Sequence, residues 1–229
     1  MLPADLRAAE AQALEALLSA LNAESNGRWR LEWRFEGLRL LPLALRLCRA
    51  LIEAGLEPRL LFPDAGAAAL ARRDGPELAG RILDFGVLLR QPPEAGSGGL
   101  LLAVAPAPAD YGEFEQICSR HRGPLVMLNG RLEDAAVGIG SLARERRRGF
   151  LAQWQVAYAV QPVEAGALRR AHPGPWELYR DDHDGFHFAA SFDQKPDAEA
   201  QAAALAGAVG GGLGGNLRAL DALIEGLRN

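Results

Sequence analysis

The chain has 229 residues, 49% of them hydrophobic and 24% charged, with a formal net charge of -4. That size and mixture fit one globular domain with a small appendage, and the acidic balance argues against nucleic acid as a partner. Two cysteines, Cys48 and Cys118, both in apolar helical patterns, exclude a disulfide scaffold and point to a reducing compartment.

A helix is predicted over 3–23, where Pro3 suits a first turn and Leu14, Leu17, Leu18 and Leu21 recur at helical spacing. Asp5, Glu10 and Glu15 interrupt any signal-peptide apolar region, and no apolar run nears the roughly 18 residues of a membrane span. A cytoplasmic protein is therefore expected. Arg28 to Glu36 is the clearest strand. Trp29, Leu31, Trp33 and Phe35 face one way and Arg30, Glu32 and Arg34 the other, so one face is buried and one is wet or lightly covered. A helix over 40–54 ends at Gly55, and a buried strand over 59–62 closes at Pro63-Asp64-Ala65-Gly66. Next come a helix near 67–73, a short strand near 81–85 and a linker-like stretch over 91–99. The apolar run 100–105 reads as a central strand, followed by a helix over 109–121.

The strand 125–128 breaks at Asn129-Gly130 into a long loop carrying Arg131, Glu133, Asp134, Gly138 and Gly140, and a helix is expected from Ser141. From Gln153 the period becomes two: Val156, Tyr158 and Val160; Trp176 and Leu178; Phe186, Phe188, Ala190 and Phe192, with glycine turns between. This pattern predicts an α/β fold, a mostly parallel, Rossmann-like three-layer sheet with an antiparallel meander added at one edge. The parallel core spans about 1–150 and the extension about 151–195, one domain together. A helical, glycine-rich tail occupies 196–229.

In such sheets ligands sit beyond the carboxyl ends of the strands. The candidate binding residues are therefore Asp64, Asn129, Arg131, Glu133, Gly138, Gly140 and Ser141. Asp64 serves either a ligand or a helix N-cap. Arg131 either pairs internally with Asp64, Glu133 or Asp134, or offers its planar donors to a phosphate or carboxylate. Gly138 to Ala143 fits a loose G-x-G-x-x-A pattern, but it lies too far from its strand for a dinucleotide fingerprint. As a helix-leading loop it can still offer backbone N–H groups to an anion. Arg144, Arg147 and Arg148 form a basic cluster that is either a solvated face or a dock for an acidic partner or anionic headgroups. The run 181–187 reads as a charged hairpin tip rather than a metal site, and the serines and histidines show no nucleophile–base pattern. No catalytic residue, metal or cofactor is expected.

Several spaced motifs carry a family resemblance: Phe62-Pro63-Asp64-Ala65-Gly66, Leu128-Asn129-Gly130-Arg131-Leu132-Glu133, Val137-Gly138-Ile139-Gly140 and Pro173-Gly174-Pro175-Trp176. In this order, across roughly 2 to 195, they resemble an uncharacterised-domain family of cyanobacteria and plastids. It includes the plant low-photosystem-II-accumulation assembly factor and the extension of a chloroplast adenylate kinase. Gly130 stands where that family has proline, and His172 where it has tyrosine. The resemblance implies a non-catalytic accessory factor in photosystem II biogenesis. It would bind a photosystem subunit or its insertion machinery and touch the thylakoid membrane peripherally. The residues alone leave two alternatives open: a phosphate- or nucleotide-binding module, with or without enzymatic turnover, and a carrier of pigment or another small hydrophobe built on Trp29 and Trp33.

Overall fold

Alternation in one strand organises the molecule, because that strand ends up in the middle of the sheet. The computed structural model describes residues 1–92, 98–133 and 148–208. The expected Gly138–Ser141 loop, the helix from Ser141 and the glycine-rich end of the tail lie outside the described residues. Leu6–Ala23 (α1) starts after Asp5, not at Pro3, because the Asp5 carboxylate accepts the Ala8 N–H at 2.8 Å and caps it. Then follow Arg28–Trp33 (β1), Leu40–Glu53 (α2), Arg59–Phe62 (β2), Ala65–Asp74 (α3), Ile82–Asp84 (β3) and Phe85–Arg90 (α4). Leu101–Val104 (β4), Tyr111–Arg120 (α5) and Leu125–Leu128 (β5) complete the first half. Gln155–Val163 (β6), Gly166–Ala171 (β7), Trp176–Asp182 (β8), Gly185–Phe192 (β9) and Ala198–Ala208 (α6) make the second.

The described strands form one nine-stranded sheet in the order β3-β2-β4-β5-β1-β6-β7-β8-β9. Every pairing from β3 to β6 is parallel, and β6 to β9 pair antiparallel. As expected, β4 and β5 are neighbours with every residue buried, and the meander extends the same sheet at its edge.

Chain direction decides which helix lies on which face. The path β1 to β2 to β3 runs toward one edge and β3 to β4 to β5 runs back, and right-handed crossovers put those helices on opposite faces. The packing follows. Helices α1, α2 and α3 bury Leu17, Leu43, Leu47 and Ala68 against Trp29, Leu31, Trp33 and Leu60. On the other face α4 and α5 bury Phe85, Phe114 and Ile117 against Leu61, Leu101, Leu125 and Met127.

Two local features depart from the sequence reading. The helix α4 was not expected; Asp84 ends β3 and caps it by accepting the Val87 N–H at 2.8 Å. In the meander, an extra residue, Ala189, shifts the β8–β9 register between Leu178 and Tyr179. Phe188 and Phe186 thereby turn to the face opposite Phe192. They stand 53% and 51% exposed, while Ala189 is buried. Ala204 and Leu205 of α6 pack with Phe192, Trp176 and Leu178 on the other side.

Candidate functional site

The parallel half reverses its winding between β2 and β4, since β2 leads away to β3 and β4 leads the other way to β5. Ligand crevices in such sheets open at that reversal, beyond the carboxyl ends. Three carboxylates line this edge, and each holds a backbone N–H. Asp64 accepts from Ala67 at 2.8 Å, Asp84 from Val87 at 2.8 Å and Asp110 from Ala107 at 2.7 Å. Asp64 is thus the N-cap of α3, and it remains exposed.

Asn129 ends β5 with a left-handed φ of 50° and turns its side chain onto the neighbouring strand. Its Oδ1 accepts the Trp33 N–H at 2.7 Å, and its Nδ2 donates to the Trp33 carbonyl at 2.7 Å. The amide thus mimics one more residue of parallel ladder. Arg34 donates to the Gly130 carbonyl at 3.0 Å. The Arg131 N–H donates to the Pro106 carbonyl at 2.9 Å, tying the turn to the loop after β4.

The Arg131 side chain is exposed and has no ion-pair or hydrogen-bond partner among the described residues. The internal brace, one of its two alternatives, is supplied by Arg30 and Arg34. With β4 between β2 and β5, strand spacing alone separates the Asp64 and Arg131 ends by roughly 10 Å. Arg30 pairs with Glu133 and lies 3.5 Å from Glu32, and Arg34 lies 3.9 Å from the same Glu32 oxygen. Glu32 is only 4% exposed. The face of β1 that alternation marked as wet or lightly covered is therefore a charge network of two arginines and two glutamates over a central strand. Breaking one member leaves a buried charge uncompensated. Its sequence signal was the row Arg30, Glu32, Arg34, which stands out as a site only once β1 is known to lie between β5 and β6.

Of the remaining candidates, Arg148 is exposed, while Gly138, Gly140, Ser141, Arg144 and Arg147 lie outside the described residues. Ligand-capable atoms of Asp182, Asp184 and His187 fall within 4.8 Å of one another at the β8–β9 turn. Arg180, however, donates to both oxygens of Asp182, and His187 Nε2 sits 2.8 Å from Asp184. They are paired charges at a hairpin tip. Trp29 and Trp33 are core, 2% and 1% exposed. The cavity against Trp33, between Leu14, Leu43 and Leu47, holds 110 Å³, below the roughly 300–1,000 Å³ of ordinary ligand pockets. Burial pushes the Cys48 thiol up to about 11 and raises Cys118 further, so neither is poised as a nucleophile.

Burial also lowers the titration points of His121 and His172. Unfolding frees both to bind protons near their ordinary value of about 6.5. Their contribution to stability is then complete above about pH 6.5 and is lost as pH falls through the lower folded values. The melting temperature should fall between pH 7 and 5, and the double variant His121→Gln, His172→Gln should flatten that slope in differential scanning fluorimetry. An unchanged slope would exclude the two histidines as its source.

Among the described residues no helix is long and apolar enough to cross a membrane. No curated protein matches the chain. A family model described as "Domain of unknown function (DUF1995)" matches residues 3–203, which run from the first residues before α1 into α6. The chain belongs to that uncharacterised-domain family.

Proposed function

We propose that this protein is a binding module without turnover, which docks an acidic protein partner during the biogenesis of photosynthetic membrane complexes. The photosynthetic context rests on the motif resemblance. The docking role rests on one observation: Arg131 stands exposed with its side chain unengaged, on a turn pinned by Asn129 and Pro106. A guanidinium on a fixed backbone gives planar, bidentate recognition of a carboxylate at small entropic cost. The sequence after this turn also carries Arg144, Arg147 and Arg148, on a molecule whose net charge is -4.

The test is co-sedimentation with thylakoid membranes at low salt. Changing Arg131, Arg144, Arg147 and Arg148 to glutamate should abolish it. The melting temperature should barely move, because a solvated charge contributes at most about 1 kcal/mol. Protease-shaved membranes and protein-free vesicles of the same lipids should fail to bind the wild type. Unchanged sedimentation of the variant would overturn the docking role, and full binding to the vesicles would replace a protein partner by lipid.

A further inference from the structure

The amino-terminal edge of the sheet, at the opposite end from the turn described above, gathers basic groups that have no ion-pair partner among the described residues. Register sets Arg28, Leu125, Leu101 and Arg59 in one row across β1, β5, β4 and β2. Residues of one row share a face, here the face where Leu125 and Leu101 pack under α5. The two arginines therefore flank the leucines from either side, with Cα atoms about 14 Å apart across three strand spacings. His121, the C-cap of α5, lies between them. Burial lowers its titration point first, and the charges of Arg28 and Arg59 lower it further.

Arg120 and Arg122 are exposed on either side of His121. Among the described residues, none of these four arginines has an ion-pair partner.

The donors here are more numerous than the acceptors. Arg28 Nη2 donates to the Cys118 carbonyl at 2.7 Å in the last turn of α5, but its Nη1 is buried without a partner. The His121 ring meets the backbone at Gly99 and Pro124, and its Nε2 is likewise buried and unpartnered. Among the described residues the Arg59 side chain donates only to Gln91, at 3.3 Å. A buried donor without an acceptor is costly, and more so when it is charged. One such charged atom, Arg28 Nη1, among arginines without an ion-pair partner calls for an acceptor that the described residues do not supply, and His121 Nε2 joins it as a donor in the Nε2–H tautomer. Donors converging from both flanks and from above match a tetrahedral oxyanion better than a planar one, whose two oxygens lie on one side.

We propose that this edge binds a phosphoryl group, held between the guanidiniums of Arg28 and Arg59 with His121 donating from above.

Inorganic phosphate is the first probe, titrated into the full chain by calorimetry and by amide NMR. Wild type should bind it saturably, with amide shifts clustered at Gly99, His121 and Gly123. Arg59→Gln and His121→Gln should each weaken binding at least about tenfold, as expected when one charged or short donor is removed. Arg28 is left intact because it caps α5. Flotation with phosphatidylglycerol vesicles separates the sources. Vesicle binding that is lost in Arg59→Gln and competed by phosphate marks a lipid headgroup. Phosphate binding without vesicle binding marks a soluble phosphate or phosphate ester. No saturation in the millimolar range, shifts clustered elsewhere, or equal affinity in all three proteins would each overturn the site. If a variant fails to fold, the shift pattern in wild type alone decides.

Discussion

Asn129→Ala should destabilise the protein by about 2–4 kcal/mol in urea denaturation. The substitution removes two hydrogen bonds of 2.7 Å and leaves the Trp33 N–H and carbonyl without partners beside a residue 1% exposed. Alanine must also hold the φ of 50° that asparagine tolerates, which adds about 1 kcal/mol. The two contributions can be separated. Asn129→Gly loses the same hydrogen bonds but relieves the backbone, so it should be less damaging than alanine by about 1 kcal/mol. Asn129→Asp keeps the acceptor but sets a carboxylate oxygen against the Trp33 carbonyl. It should therefore be no better than alanine at neutral pH. An alanine variant within about 0.5 kcal/mol of wild type would show that the bracket contributes little. Because the same turn carries Arg131, the alanine variant should also lose thylakoid co-sedimentation at temperatures where it is still folded.

Phe114→Ala should cost about 3–5 kcal/mol, the range of large-to-small changes in a core that cannot collapse. Phe114 is fully buried. Its ring stacks on Phe85 at 5.5 Å and on Trp154 at 5.6 Å and meets Phe150 edge-on at 5.9 Å. These four rings join α4, α5 and the segment entering β6, so the loss is felt by three parts of the chain together. Near-ultraviolet circular dichroism should weaken as Trp154 loses its stacking partner. Phe114→Leu, which nearly conserves volume, should cost under about 2 kcal/mol. A Phe114→Ala variant as stable as the leucine one would mean that the cluster repacks around the gap.

The parallel half was legible because strands covered on both faces are continuous apolar runs. The runs at Arg59–Phe62 and Leu125–Leu128 matched residue for residue, and the run at 100–105 needed trimming by one residue at each end. The helix α4 escaped because six residues carry too little of a 3.6 period. The exposed faces of Phe186 and Phe188 escaped because a single inserted Ala189 reverses every side chain before it. Asp64 offered two roles from sequence, and the hydrogen bond to Ala67 shows the capping one. Asn129 and Glu32 could not be read locally. The partner of one lies 96 residues away, and the burial of the other depends on which strands come to flank β1. Arg131 offered either a brace or a ligand contact from sequence, and the brace is supplied by Arg30 and Arg34, since sequence does not say which of several arginines points inward.

The position of β1 bears on how the chain folds as it is made. Of the strands of this sheet it leaves the ribosome first, yet both of its neighbours, β5 and β6, come from beyond the other parallel strands. Helices α1 and α2 can cover Trp29, Leu31 and Trp33 early, since they flank the strand in sequence. They cannot satisfy its backbone, and pairing across so long a separation is the slow kind of contact. Throughout that wait the nascent protein carries an apolar strand with two open edges, the form most prone to join another chain. The oldest strand of the sheet waits longest for its neighbours.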